Sequence, residues 1–533
     1  MSQDLVTITV DGNKIQVPKG TNIIDAAKSA GIEIPHYCYH PHLSVAGNCR
    51  MCQVELNGRP KLEIACNTTA SEGLEVKTHH TSKAVADAQA ATLEFILINH
   101  PLDCTVCDQA GHCKLQDYHY EYNAKQSRFL EEKEHKVKAQ PLGPTVILDG
   151  ERCIMCSRCV RFCDEITGTS EIGLINRGDH TVISVSESRP LNNALSGTVV
   201  DLCPVGALTH REWRFNTRIW FTKQSDGICP GCSTGCNVKV ATRDSEIVQV
   251  KARHNPNVNK EWLCDEGRYG FGRFLPKNRL SNAIVNNKDA SVEDALAVVK
   301  NIAKPESVIF MSADLTSEEY AIISELKKSV LKDAHIVVGY KERTLTKVEA
   351  VLVSPDYAPN YQAAKLFGLV SGDLQMSYEK AVKDFALGKY KQALIIGDRA
   401  IADSDISVEF VANWSTATTV FIGTNAHHRL VDGANAVIAS RSIVEKSGVL
   451  INRTLRAQYT DRFVDAPENT TPEWKLLLLL AKVLNAPSAS LPPLASIVSE
   501  RDLTLWLLKA NQKFGDSSIK SLKSGVAMEG VSA

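Results

Sequence analysis

The chain has 533 residues, 44% of them hydrophobic and 23% charged, with a formal net charge of −1 at pH 7. That size predicts roughly three to five domains with ordinary apolar cores. A balance so close to neutral gives nucleic acid or an acidic lipid surface no electrostatic hold, and neither is expected as a partner.

The amino terminus, Met1 to Val10, lacks a basic stretch followed by an apolar core, and it lacks the Arg-rich, acid-poor look of an organelle transit peptide. The most apolar later run, Trp474 to Leu484, is interrupted by Lys475 and Lys482 and is far too short to span a bilayer. A soluble protein on the cytoplasmic side is expected, reaching a membrane only through partners.

In chain order, residues 5–17 read as a hairpin about the turn pair Asp11-Gly12. Thr21 is placed to cap a helix over 22–30, with Gly31 just past its end. Strand, strand, helix and then a cysteine loop is the order of a small ferredoxin-type β-grasp domain. Residues 83–98 are helical by composition and spacing and lead into His100-Pro101. Residues 131–138 read as a charged, solvated connector without function. From about residue 280 strands alternate with helices. Strands are expected at 307–311, 335–340, 393–396, 418–423 and 434–439, and a helix over 318–330, an α/β pattern with a mostly parallel sheet.

All sixteen cysteines lie between Cys38 and Cys264. Without an export signal, disulfides are the weaker reading, and cysteines this closely spaced in a reducing compartment read as metal ligands. Iron–sulfur clusters need four soft ligands converging on an inorganic core, with short gaps placing two or three on one loop.

The first set is Cys38, Cys49, Cys52 and Cys66, directly after the hairpin and helix, where a plant-type ferredoxin carries its two-iron cluster. Its first gap is longer than the plant-type spacing, and a zinc site is the alternative. The second set is His100, Cys104, Cys107 and Cys113. Three cysteines need another ligand, which an imidazole supplies; His112 competes, although it lies beside Cys113. The third set is Cys153, Cys156 and Cys159, closed by Cys203 before Pro204. Five cysteines do not hold two four-iron clusters, so Cys163 is left over and reads as a small buried residue. The fourth set is Cys229, Cys232, Cys236 and Cys264, for which a zinc ribbon is the alternative. Fifteen of the sixteen cysteines and one histidine thus fill four four-ligand sites.

With these residues in place, the sequence resembles the large iron–sulfur subunit of respiratory NADH–quinone oxidoreductase (complex I), called NuoG in bacteria and the seventy-five-kilodalton subunit in mitochondria. The resemblance is dense over residues 5–280 and rests on Tyr37 to Pro41 (YCYHP), Gly47 to Cys52 (GNCRMC), His100 to Cys107 (HPLDCTVC) and Asp201 to Leu208 (DLCPVGAL). Beyond Cys264 the chain is similar to molybdopterin oxidoreductases, through residues 271–280 and Glu445 to Gln458 (EKSGVLINRTLRAQ). The stretch between is shorter than catalytic relatives need, and no later cysteine is present to ligate molybdenum. The second half therefore reads as a catalytically inert scaffold without molybdopterin.

The resemblance implies α+β ferredoxin-like iron–sulfur modules followed by an abbreviated molybdopterin oxidoreductase-like α/β domain. The modules are a 2Fe-2S β-grasp domain (1–80), a 4Fe-4S module held by one histidine and three cysteines (81–121), a 4Fe-4S ferredoxin-like domain (140–215), a fourth 4Fe-4S module (222–278) and the α/β domain (279–533). It implies one 2Fe-2S cluster and three 4Fe-4S clusters, a relay of single electrons, and no bond-making catalytic residue. The fourth set is expected to lie off the relay and to be structural. Implied partners are a flavin- and NADH-binding subunit with its 2Fe-2S partner, a ferredoxin-like eight-iron subunit leading to quinone, and other peripheral-arm subunits. The implied location is the cytoplasmic face of a bacterial inner membrane. Two other classes remain: an electron-transfer component of an NAD-linked hydrogenase or formate dehydrogenase, and a zinc-stabilised scaffold without redox function.

Overall fold

The computed structural model describes residues 4–493 and 495–528. Residues 1–3 and 529–533, at the outer ends of the expected 1–80 and 279–533 modules, and Leu494 lie outside the described residues. The chain forms two compact units, Met1–Thr222 and Lys223–Ala533.

In the first unit, Leu5–Val10 and Asn13–Pro18 pair antiparallel as expected. Asp11 and Gly12 have φ of 48° and 82°, the double left-handed turn that matches the strand twist. Val6, Ile8 and Val10 point to one face and are buried. The sheet continues in the order Asn13–Pro18, Leu5–Val10, Glu75–Lys77, Gln53–Leu56, Glu63–Ile64. Helix Ile23–Ser29 closes the core with Ile23, Ile24, Ala26 and Ala27. Its cap is Asn22, not Thr21: Asn22 Oδ1 accepts from Ile24 N at 2.9 Å, while Thr21 Oγ1 donates to Pro18 O at 2.6 Å. Asn is the stronger cap, and the helix starts one residue later to use it.

Helix Lys83–Leu97, capped by Ser82, buries Val85, Gln89 and Leu93, one residue per turn. Helix Lys114–Tyr122 starts directly after Cys113. The charged 131–138 segment is not a free connector. Lys133 Nζ donates to the carbonyls of Leu97 and Ile98 at the end of the long helix, where cations complement the helix dipole. Lys138 Nζ meets Asp103 at 2.7 Å and Glu151 at 2.6 Å. Further on, Val146–Leu148 pairs with Gln140–Pro141 and Leu208–His210, and helices Arg158–Glu165 and Thr198–Leu202 follow the cysteine loops.

The second unit starts with an antiparallel sheet, Lys223–Ile228, Asn237–Arg243 and Glu246–Ala252. A seven-stranded sheet follows. Two short antiparallel edge strands lead to five parallel ones in the order Ala436–Ala439, Thr418–Gly423, Gln392–Ile396, Ser307–Met311, His335–Val338. The expected strands are therefore present, two with the expected ends and three with one end shifted by one or two residues. The α+β modules followed by a parallel α/β sheet are the fold class that the sequence implies. Apolar cores cover both faces of the sheet, as a parallel sheet requires. Helix Ser317–Ser329 opens with a capping box, Thr316 and Glu319. The run around Trp474 is the buried helix Glu473–Val483. No helix among the described residues is long and apolar enough to cross a membrane.

One buried charge cluster fixes this unit. Lys446 Nζ, with its side chain 2% exposed, lies 3.1 Å from Glu319 and 2.9 Å from Glu473. Removing the cation strands two buried carboxylates in low dielectric. Lys446→Met is expected to cost about 3–5 kcal/mol, read as a lowered urea midpoint; a midpoint within error of the parent would refute this.

Candidate electron-transfer sites

Each cysteine loop contains at least one residue in the left-handed conformation. The left-handed residues are Gly47 and Arg50 in the first set, Gly111 in the second, Met155 and Ser157 in the third and Gly235 in the fourth. Non-glycine residues in this conformation are costly and cluster at functional sites.

The four thiols of the first set lie close together: Cys49 and Cys66 hold the Cys38 thiol well below the usual range, the amides of Cys49 and Asn48 add to this, and Cys66 lowers Cys52. Cys38 N donates to Cys49 Sγ at 3.5 Å.

In the second set, Cys104 is exposed while Cys107 and Cys113 are buried. Burial pushes the Cys113 thiol up to about 11, with Cys107 and Cys104 close enough to add to the effect. Burial pulls His100 down to about 4, helped by Arg152 and Lys133, so its ring is neutral at pH 7 with a lone pair to give. His112 is held in a turn with Gln109, through its amide at 3.1 Å and its carbonyl at 3.0 Å. Arg218 Nη1 donates to Cys107 O at 2.5 Å and its other nitrogen to Thr105 O.

In the third set, Cys156, Cys153 and Cys203 all act on Cys159, and so does Cys163. Burial pushes Cys153 to about 11 and Cys203 to about 12. The amide of Met155 donates to Cys153, and those of Val205 and Leu208 to Cys203. Cys163 lies one turn beyond Cys159 on the same helix, fully buried, and its charged neighbours are Glu171 and Asp164.

The three sets mesh. Arg161 Nη2 donates to Cys38 O at 2.6 Å and to Cys156 O at 3.3 Å, bridging the first and third loops. Arg158 does the same through Leu202 O at 3.3 Å and Tyr39 O. A Cβ at Gly206 would lie 2.2 Å from Cys107 Sγ, so only glycine lets the loop after Cys203 close over the second set. Tyr37, fully buried with its hydroxyl unbonded among the described residues, faces Cys113 and Cys49.

The four cysteines of the fourth set line one cavity together with Glu266, Gly267 and Arg273. Cys229 N donates to Cys236 O at 2.8 Å, and Gly267 N to Cys264 Sγ at 3.2 Å. Burial pushes Cys229 up to about 12. The loop is gripped from far along the chain. Asp356 accepts from Ser233 N at 3.0 Å and Ser233 Oγ at 2.6 Å, Asn452 donates to Thr234 O at 3.2 Å, and Gln458 donates to Gly235 O at 2.9 Å.

Four family matches cover the same segments: a 2Fe-2S cluster binding domain over 3–81, the NADH-ubiquinone oxidoreductase-G iron–sulfur binding region over 89–128, the ferredoxin-like domain of NADH-quinone oxidoreductase subunit 3 over 143–209, and the molybdopterin oxidoreductase Fe4S4 domain over 222–274. The G subunit of NADH-quinone oxidoreductase from Streptomyces coelicolor is 42% identical over 293 residues, 55% of this chain and 35% of that one. The cysteine-bearing part of this chain is homologous to the NuoG and seventy-five-kilodalton subunits. A Solanum tuberosum mitochondrial NADH dehydrogenase [ubiquinone] iron–sulfur protein 1 is 37% identical over 325 residues, 60% of this chain and 44% of its own length. Subunit 3 from Thermus thermophilus is 36% identical over 411 residues, 69% of this chain and 51% of its own. The chain thus spans about a third to a half of the length of these relatives.

The donor chemistry fits the 2Fe-2S and 4Fe-4S domains so identified: soft sulfurs, all but the exposed Cys104 buried or half-buried, several of them met by amide N–H groups. The buried arginines, Gly206 and the lysines of 131–138 escaped the sequence reading. Their signal was faint: Arg152, Arg158 and Arg161 crowd a thiol run where surface arginines have no reason to cluster.

Gly206→Ala is expected to disrupt the second site alone, seen as a loss of about one cluster's worth of iron with the other signals intact. Unchanged iron content would show that the loop yields.

Proposed function

We propose that this chain is an electron-transfer subunit of an NADH–quinone oxidoreductase, passing electrons from an NADH-oxidising flavin subunit toward quinone. In this reading Cys38, Cys49, Cys52 and Cys66 hold a 2Fe-2S cluster. Three 4Fe-4S clusters are held by His100, Cys104, Cys107 and Cys113; by Cys153, Cys156, Cys159 and Cys203; and by Cys229, Cys232, Cys236 and Cys264. The clusters supply one-electron carriage when bound. The chain's own residues hold the sulfurs, bury them from water and aim N–H donors at them.

One observation carries the reading: three ligand loops mesh within residues 1–222, tied by Arg161, Arg158 and Gly206. A zinc scaffold has no need for separate sites in direct contact, whereas electron transfer requires closeness. The fourth set, gripped by Asp356, Asn452 and Gln458, has the anchoring expected of a structural site. The partners in this reading are the flavin subunit with its 2Fe-2S protein and a ferredoxin-like eight-iron subunit, at the cytoplasmic face of a bacterial inner membrane.

The test is gentle purification of the tagged chain from its host with mass spectrometry of its companions. Flavoprotein, ferredoxin-like and membrane subunits together support the proposal. Hydrogenase or formate dehydrogenase chains would reassign the machine, and a colourless zinc protein would end the redox reading.

His100 offers a sharper check. A neutral imidazole in place of a thiolate leaves the cluster one charge less negative and easier to reduce. His100→Cys is expected to keep the cluster and lower its midpoint in an EPR-monitored redox titration. An unmoved midpoint would count against His100 as the ligand.

A further inference from the structure

Two buried arginines stand in the gaps between the first three sets, and neither uses all of its N–H groups. Arg152 directly precedes Cys153 of the third set, and its side chain is 5% exposed. Its Nε and Nη2 donate to Asp103 Oδ2 at 3.1 and 2.9 Å, and Nη2 approaches Val106 O at 3.5 Å. Its Nη1 is buried without a partner among the described residues. The point 2.2 Å from Cys107 Sγ over Gly206 is 3.8 Å from Arg152 Cδ, so the sulfur and the arginine side chain both border that glycine. The guanidinium acts on His100 and on Cys107, both of the second set.

Arg158, 8% exposed, directly precedes Cys159. Its Nη1 and Nη2 donate to the carbonyls of Leu202 and Tyr39. Its Nε is buried without a partner among the described residues. Its electrostatic neighbours are Cys156 and Cys203 of the third set and Cys38 of the first.

A buried donor left unbonded is costly, more so when charged, and these two belong to arginines that directly precede cysteines of the third set, which points to an acceptor at the cluster sites. Sulfur is the acceptor that both sites share. Reduction adds one electron and one negative charge to a cluster and breaks no bond. A fixed cation with an N–H aimed at sulfur favours the reduced form.

We propose that Arg152 and Arg158 are potential-setting residues that donate to sulfur in the two gaps, Arg152 acting on the second cluster and Arg158 on the third and first. The proposal rests on the ligand assignment above. Through these two side chains the second cluster is tuned independently of the first.

The test uses the purified full chain with its clusters and the variants Arg152→Lys and Arg158→Lys, which keep a charge and lose the unbonded N–H. At unchanged iron content, Arg152→Lys is expected to make reduction of the second cluster about tenfold less favourable, about 59 mV for one electron, with the first cluster unmoved. Arg158→Lys is expected to shift the third and first and leave the second. Unmoved midpoints, or an equal fall at all sites, would overturn the proposal. If a variant loses iron, the parent chain labelled with nitrogen-15 arginine decides. Pulsed EPR coupling between the second cluster's spin and an arginine nitrogen supports the proposal, and its absence overturns it. A parent chain with no iron-dependent EPR signal would instead remove the ligand assignment, before any variant is compared.

Discussion

The constraint behind this architecture is the crowding of sulfur at buried points. Thiolates repel one another in low dielectric, and burial alone pushes most of these thiols upward, to about 11 or 12 where the shift is moderate. Four thiolates share a site only if something positive meets them. The 2Fe-2S and 4Fe-4S binding domains that these segments match are built around such an iron core, and the chain surrounds the sulfurs with inward amides and buried guanidinium groups. The left-handed residues Arg50, Met155 and Ser157 are a local backbone cost of these loops.

The same constraint explains why the first three sets share one compact unit. Arg161 serves Cys38 O and Cys156 O at once, and Gly206 brings the third loop onto a sulfur of the second. Burying each loop against another keeps water out at both sides. The lysines of 131–138 belong to this arrangement, since Lys133 and Lys138 bear on His100 along with Arg152 and help to keep its ring neutral.

Local order was readable from the chain. The Asp11-Gly12 hairpin, the helix ending at Leu97, the Ser307–Met311 strand and the grouping of the cysteines follow from spacing and turn chemistry within a few residues. The gathering of Cys38 with Cys49, Cys52 and Cys66 was readable for the same reason. Contacts between distant segments were not. Arg161 reaches Cys38 O across 123 positions, and nothing in either neighbourhood marks the other. The 131–138 segment is largely exposed as expected, but a run of alternating charges gives no sign that Lys133 reaches a helix end or Lys138 an acidic pair. Thr21 misled by a single residue, because two good caps stood side by side and tertiary contacts chose Asn22.

The grip on the fourth cysteine loop also sets an order of events. Its holding groups lie far downstream: Asp356 is 123 positions from Ser233, Asn452 is 218 from Thr234, and Gln458 is 223 from Gly235. A chain emerging from the ribosome at about 5–20 residues per second completes the first three loops while those groups are still unmade. The walls of the last site come mostly from residues 229–273, but its loop is gripped only once Asp356, Asn452 and Gln458 have been made. The loop of the fourth set is therefore fixed later than the other three, and its fixing requires residues up to Gln458 to be in place.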